Sequence, residues 1–103
     1  MEIHFTNAYH EKLYAGLPVS GKPRYHEEVI EKFRKKVILL QNAENSIELK
    51  QIRSLNFEAL KGKKKGLYSI RVDLKYRLEF LIEKDKITLR EIVLIENLSN
   101  HYK

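Results

Sequence analysis

The spacing of apolar residues changes near residue 60, and this change constrains the fold more than any other feature of the sequence. From about residue 24 to 42, apolar residues recur every three or four positions, the spacing of one helix face. After residue 66, the runs LYSIRV, YRLEFLIE and ITLREIVLI are β-rich and follow one another across short polar links. The sequence therefore predicts a long amphipathic helix followed by an antiparallel β-meander. The apolar helix positions are Tyr25, Val29, Ile30, Phe33, Val37 and Leu40.

Shorter elements surround this pattern. MEIHF is expected to form a short strand, and NAYHEKLYAG a short helix that stops at Gly16. Pro23 is expected in the first turn of the long helix, and ENSIELKQI to add one or two helical turns. We therefore predict an α+β fold, in which a small antiparallel sheet packs against two to three N-terminal helices. Because no linker or repeat interrupts the 103 residues, we expect a single domain over 1–103.

Several classes of protein are excluded by what the sequence lacks. It has no cysteine, which rules out disulfides and thiolate metal sites. Its four histidines are scattered without metal-ligand spacing, so we expect no metal or other cofactor. There is no apolar run long enough to cross a membrane, and MEIHFTNAYH does not resemble a signal peptide. We therefore expect a soluble, cytoplasmic protein that makes no membrane contact.

The positive charge of the chain is concentrated in one segment. Residues 61–77 contain seven basic residues and one acidic residue, a net of +6, which equals the net charge of the whole chain. Such a patch attracts polyanions. The segment GKKKG taken alone would be read as a solvated lysine turn, so the placement of Arg71 and Arg77 decides how it is interpreted.

A hairpin between the first two strands of the meander places these arginines. If residues 73–75 form a three-residue loop, one sheet face pairs only apolar residues, whereas a two-residue loop would break that face. The opposite face then pairs Arg71 with Arg77 and Ser69 with Glu79. The apolar pairs are Val72 with Tyr76, Ile70 with Leu78, and Tyr68 with Phe80.

Two arginines placed opposite one another repel, and a bound anion would relieve that repulsion. Arginine presents a planar fork of donors that matches phosphate oxygens. The lysines of the preceding loop, Lys61 to Lys65, would line the rim of the same face. The alternative is that Glu79, Glu91 or Glu96 neutralises the arginines in a surface ion-pair ladder.

The segment NLSNHYK, after the last apolar run, carries His101, Tyr102 and Lys103. If it folds back over the sheet, His101 and Tyr102 would lie near Arg71 and Arg77. RNA is cut when its 2′-hydroxyl attacks the adjacent phosphorus, a reaction that needs a proton acceptor, a proton donor and stabilised charge. Histidine serves either proton role near neutral pH, and tyrosine serves if positive charge lowers its pKa. The competing interpretation is a frayed, inert terminus.

The stretch LNFEALKGKKKGLYSIRVDLKYRLEF resembles the RelE/ParE toxin superfamily, specifically its HigB-like branch. The matching motifs are Leu60-Lys61-Gly62, Gly66-Leu67-Tyr68-Ser69-Ile70-Arg71-Val72 and Arg77-Leu78-Glu79-Phe80. The resemblance is specific over about residues 55–83 and looser elsewhere. It implies a bacterial type II toxin that cuts messenger RNA in the ribosomal A site without metal. It also implies a cognate antitoxin, expected to be of the helix-turn-helix type.

The same resemblance assigns roles to individual residues. It implies that Lys61, Arg71 and Arg77 bind the scissile phosphate and the neighbouring backbone. We ourselves favour His101 as the general base, with Tyr102 as the alternative and either able to donate to the leaving group. Many HigB-like toxins end in Asp-Tyr-His, whereas this chain has Asn100-His101-Tyr102-Lys103. Some also carry a histidine where this chain has Glu58. These differences leave the identity of the general base open. The residues expected to contact RNA or the ribosome are Lys63, Lys64, Lys65, Lys75 and Lys103.

Three functions remain open at this point. The first is the ribosome-dependent messenger-RNA endonuclease, which we favour. The second is a ParE-like inhibitor of DNA gyrase, which would not need His101 or Tyr102. The third is a basic nucleic-acid-binding domain without toxicity, whose binding would weaken with salt.

Overall fold

In the part of the chain that the structure describes, five strands form one mixed sheet, and three helices precede four of these strands. The computed structural model describes residues 1–22 and 24–100. No helix within these ranges combines the length and the apolar character that crossing a membrane requires. The elements are β1 (Glu2–Phe5), α1 (Ala8–Ala15), α2 (Glu27–Asn42), α3 (Ser46–Gln51), β2 (Glu58–Ala59), β3 (Tyr68–Arg71), β4 (Tyr76–Lys84) and β5 (Glu91–Asn100), with short 3₁₀ turns at Arg53–Leu55 and Gly62–Lys64.

The strands lie in the order β1-β5-β4-β3-β2. The predicted α+β class and the antiparallel meander of β3, β4 and β5 are confirmed. The sheet is mixed rather than wholly antiparallel, because β1 pairs with β5 in parallel. The alternation of side chains carries no information on strand direction, and no hairpin links β1 to its neighbour. Strand β2 was not predicted, because two exposed residues are too short to show a period.

The ends of α1 follow the signals in the sequence. The Asn7 side chain accepts a hydrogen bond from the backbone N–H of His10 at 3.0 Å, which satisfies one free donor of the first turn. Gly16 ends the helix in the left-handed conformation, with φ of 74°, as predicted. Glycine adopts this backbone conformation more readily than residues that carry a side chain.

Helix α2 begins at Glu27, about three residues later than predicted, and Pro23 lies outside the described residues. The segment before it is tied to the sheet instead, because the Tyr25 hydroxyl donates to the Leu98 carbonyl at 2.7 Å. Glu27 and Glu28 occupy the first turn, where negative charge favours the helix dipole. Tyr25 therefore packs against the core from outside the helix to which its spacing assigned it.

The core lies between α2 and one face of the sheet. Phe33, Val37 and Leu40 of α2 are fully buried, in agreement with the predicted helix face. They join the apolar face of β3, β4 and β5 and the buried Leu49 of α3 in one cluster. The fully buried strand residues of this cluster are Ile70, Leu78, Phe80, Val93, Ile95 and Leu98.

Strand β5 runs further toward the C-terminus than predicted. Residues 87–90, predicted to begin the strand, lie in the loop between β4 and β5, in which the Asp85 carboxylate accepts hydrogen bonds from the N–H groups of Ile87 and Thr88. Residues 97–100, expected to be part of a tail, are strand residues and pair with β4. Leu98 is buried in the core, and the pairing with β4 shifts by one residue at Glu96, so the apolar alternation is interrupted between Ile95 and Leu98.

His10 is a buried histidine whose ring nitrogens have no hydrogen-bond partner among the described residues. Its ring packs near the rings of Tyr9 and Phe33. Burial is the main cause that lowers the pKa of His10, and the nearby Arg24 lowers it further. The folded protein therefore favours the neutral imidazole.

Replacing Phe33 with alanine should lower the free energy of unfolding by about 3–5 kcal/mol, because it removes a fully buried ring and leaves a cavity. Urea denaturation measures this change. Ile87→Ala is the control, since Ile87 is 92% exposed and its truncation should stay within about 0.5 kcal/mol of wild type. Equal losses for the two variants would contradict the placement of the core.

The stability of the protein should fall as pH drops below 6.5. The unfolded chain protonates His10 near its ordinary pKa of 6.5, whereas the fold binds that proton only at lower pH, so acid favours unfolding. Well above pH 6.5, His10 is neutral in both the folded and the unfolded protein, and its protonation no longer reduces the free energy of unfolding. Thermal unfolding measured across this pH range should show that His10→Leu loses less stability on acidification than wild type does. The variant His4→Gln, at an exposed position, should lose as much as wild type. An unchanged acid loss in His10→Leu would refute the assignment.

Candidate functional site

The predicted register of β3 and β4 is confirmed. Arg71 pairs with Arg77 and Ser69 with Glu79 on one face. The loop closes through a hydrogen bond from the Val72 N–H to the Tyr76 carbonyl at 2.9 Å. We call the face that carries these side chains the polar face. Its members, by strand pairing, are Glu58, Ser69, Arg71, Arg77, Glu79, Asn97 and Ser99.

The Asp73–Lys75 loop is held by its own aspartate. The Asp73 carboxylate accepts from the N–H groups of Lys75 and Tyr76, each at 2.8 Å. A side-chain oxygen that binds the backbone two residues ahead is a common way to stabilise a tight turn. The loop therefore sets the register that places the two arginines opposite one another.

Arg77 lies at the buried centre of the polar face and is only 4% exposed. Its Nε donates to Ser69 Oγ at 2.9 Å, and its Nη2 donates to the carbonyls of Asn56 at 2.5 Å and Ser69 at 3.3 Å. Burial lowers the pKa of Arg77, the carboxylate of Glu58 opposes that shift, and Arg71 adds to it. The guanidinium thus ties β3, β4 and the segment before β2 together while holding a positive charge under the face.

Arg71 differs from Arg77 in its surroundings. It is exposed at the end of β3, and its side chain makes no hydrogen bond or ion pair with any residue that the structure describes. Lys61, Lys63 and Lys65 are likewise exposed beside the Gly62–Lys64 turn. Together with the exposed Lys75, these cations are groups of the basic segment that an external anion can reach.

The carboxylates do not form the ion-pair ladder that was the alternative prediction. Among the described residues, Glu79 pairs with Lys64, at 2.7 Å between Nζ and Oε2. Glu91 accepts from Ser46, and Glu96 accepts from Thr6. None of the three makes a salt bridge with Arg71 or Arg77 in this part of the chain. The carboxylates of Glu58 and Glu79 nevertheless raise the pKa of Arg77 and so act against the repulsion from Arg71, without a salt bridge to either arginine among the described residues.

The end of β5 lies next to the arginine pair. Ser99 pairs with Arg77, and Asn100 pairs with Tyr76. His101, Tyr102 and Lys103, which were predicted to carry proton transfer and RNA contact, lie outside the described residues. The described chain thus reaches residue 100 beside the hairpin that carries both arginines.

Comparison with known proteins agrees with this architecture. The family model described as "RelE-like toxin of type II toxin-antitoxin system HigB" matches residues 3–91. This chain belongs to the HigB-like toxin family. A YoeB/ParE toxin from Agrobacterium tumefaciens has a similar fold, with a TM-score of 0.57 and 19% identity over 99% of this chain and 100% of the other. No curated protein matches the sequence.

Family membership identifies this HigB-like chain as a RelE-like type II toxin, and a type II toxin has an antitoxin partner. The resemblance drawn from the Leu-Lys-Gly and Arg-Val motifs is therefore confirmed.

Sequence reasoning missed several members of the polar face of this toxin. Glu58 was noted only as a departure from the family motif, and its pairing with Ser69 now places it near Arg77. Ser99 and Asn97 were assigned to a tail rather than to β5. The predicted pairing of Ser69 with Glu79 already indicated that these two polar residues lie on the same sheet face as the arginines. No feature of the sequence indicated that Lys64 would bind Glu79.

Truncation of the two arginines should have different effects on the HigB-like fold. Arg77→Ala should lower the free energy of unfolding by about 1.5–3 kcal/mol, because buried partners of a charged group lose their hydrogen bonds. Arg71→Ala should change it by less than about 0.5 kcal/mol, as for other exposed positions. Urea denaturation compares them, and Lys86→Ala is the control for an exposed cation away from the face. Equal destabilisation by both arginine variants would show that Arg71 is bound within the protein.

Proposed function

We propose that this toxin is a metal-independent endoribonuclease that cuts messenger RNA in the ribosomal A site and so inhibits translation. It acts in the cytoplasm, where ribosomes are, and an antitoxin of the helix-turn-helix type holds it inactive. The observation that carries the proposal is the exposed Arg71 opposite the buried, positively charged Arg77, with the basic loop of residues 61–65 beside them. Membership of the HigB-like toxin family supports the same proposal.

The cleavage chemistry needs three contributions from the protein. A general base takes the proton of the 2′-hydroxyl, whose oxygen then bonds to phosphorus. The bond from phosphorus to the 5′-oxygen breaks, and a general acid protonates that leaving oxygen. Cationic side chains stabilise the extra negative charge on phosphorus between these steps. We assign charge stabilisation to Arg71 and Lys61, and to Arg77 as the buried charge beneath them.

His101 and Tyr102 are assigned the two proton transfers. The support is that β5 ends at Asn100, one position from the pairing of Ser99 with Arg77. A positive surface stabilises the deprotonated form of tyrosine and the neutral form of histidine, which are the proton-accepting forms. Glu58 is a further proton acceptor on the same face, and a variant of it belongs in the test.

The remaining basic residues are assigned to binding. Lys63 and Lys65 belong to the basic loop beside the polar face, and Lys75 is the last residue of the hairpin loop that positions Arg71. These residues and Lys103 are assigned to contact with ribosomal or messenger RNA. Contacts of this kind with the phosphate backbone position an RNA without reading its sequence.

The test compares wild type with the His101→Ala/Tyr102→Phe double variant. Wild type should arrest growth and leave transcript 5′ ends at in-frame positions, and purified wild type should cut messenger RNA only when ribosomes are present. Loss of a general acid or base costs about 10²–10⁴-fold in rate, so the folded double variant should produce neither effect. Primer extension maps the cuts, and a Glu58→Gln arm measures whether the carboxylate also moves a proton.

The matched control is His4→Ala/Tyr14→Phe, which removes the same two chemical groups away from the polar face and should cut as wild type does. Growth arrest by wild type and by the His101→Ala/Tyr102→Phe variant, without RNA cuts, would overturn the proposal in favour of a target such as DNA gyrase. Absence of arrest with either protein would leave a nucleic-acid-binding domain.

A further inference from the structure

A carboxylate lies buried in the middle of the polar face. Glu79 is 5% exposed, and its Oε2 accepts from Lys64 Nζ at 2.7 Å and from Ser99 Oγ at 2.9 Å. Lys64 belongs to the Gly62–Lys64 turn, and Ser99 to the end of β5. One oxygen atom therefore connects the basic loop to the strand that leads toward residues 101–103.

The physical cost of burying this charge explains why its partners matter. A carboxylate removed from water is destabilising unless it is paired and hydrogen-bonded. Lys64 supplies the opposite charge, and its side chain remains 51% exposed, so the pair sits at the edge of the face. The other contacts described for the Gly62–Lys64 turn are local backbone bonds within residues 60–67. Among the described contacts, the Lys64–Glu79 pair is thus what ties the tip of this turn to β4.

We infer that Glu79 is a positioning residue, which holds the basic loop of residues 61–65 against the polar face and withdraws Lys64 from anion binding. This inference rests on the proposed nuclease function and deepens it. Lys61, Lys63 and Lys65 remain available to bind RNA. Lys64, predicted from the sequence to bind RNA as they do, has a holding role instead.

Glu79→Gln separates positioning from simple stability. Glutamine keeps the shape of the side chain and an oxygen that accepts from Ser99, but it cannot form the ion pair. Lys64 is then free to bind phosphate, so affinity for single-stranded RNA should rise. The slope of log affinity against log salt should steepen by about 0.7, the value for one more phosphate contact. Ribosome-dependent cleavage should fall, because the loop that carries Lys61 is no longer held.

If Glu79 positions the loop, its replacement by glutamine raises RNA affinity and lowers the cleavage rate. A residue that merely stabilises the fold would lower both when replaced. In the Glu79→Gln/Lys64→Gln double variant the gain in RNA affinity should vanish. The cleavage rate of the double variant should be no lower than that of the less active single variant. Independent, additive losses of cleavage would overturn the inference, since they would show that the two side chains act separately.

The control is Glu83→Gln, which removes an exposed carboxylate from the same strand about 13 Å away, at 3.3 Å per residue. It should leave the salt slope and cleavage unchanged. A steeper slope for Glu83→Gln equal to that for Glu79→Gln would mean that net charge alone, and not release of Lys64, sets RNA affinity.

Amide hydrogen exchange of residues 62–66 tests the holding role without nuclease activity. Exchange should be faster in Glu79→Gln than in wild type, and unchanged exchange with unchanged RNA affinity would overturn the inference. If wild type itself does not cut RNA, the nuclease proposal fails while the exchange and binding measurements still decide the role of Glu79. If Glu79→Gln does not fold, Lys64→Gln carries the exchange test with the same expected result.

Discussion

The pairing of β3 with β4 is the constraint on which both the core and the candidate site depend. The three-residue Asp73–Lys75 loop, held by the Asp73 carboxylate, sets a register with apolar pairs on one face and Arg71 opposite Arg77 on the other. Because side chains alternate along a strand, a shift by one residue would bury the arginines in the core and expose its apolar residues. The hydrophobic effect thus determines where the positive charges lie, although those charges take no part in the core.

The charges on the polar face divide into two groups by burial. Arg77 and Glu79 are buried, and each is bound by groups of the protein, Arg77 by Ser69 and Asn56 and Glu79 by Lys64 and Ser99. Buried charges without such partners would destabilise the fold. The side chains of Arg71, Lys61, Lys63, Lys65 and Lys75 are exposed and have no partner among the described residues, so an external anion can reach them. The same segment therefore supplies the support of the site and its binding surface.

The extent of agreement between sequence and structure follows from the range of each interaction. The long helix, the meander and the arginine pairing were predictable, because each depends on periodicity or on a short loop. The parallel pairing of β1 with β5, the two-residue β2 and the extension of β5 to Asn100 were not. Each depends on a neighbour distant in the chain, so local spacing carries no signal for it. Helix α2 begins after Tyr25, whose hydroxyl instead bonds to Leu98, a contact between residues 73 positions apart.

The sequence by itself determined which residues form the core, which face carries the arginines, and to which toxin family the chain belongs, because these follow from alternation and from a local motif. Only the tertiary structure decided which charges are buried and what they bind. Arg71 and Arg77 are alike in sequence, and one is exposed while the other is enclosed by Ser69 and the Asn56 carbonyl. Whether a charge meets water or protein depends on segments brought together by folding, and residue spacing cannot encode that distance.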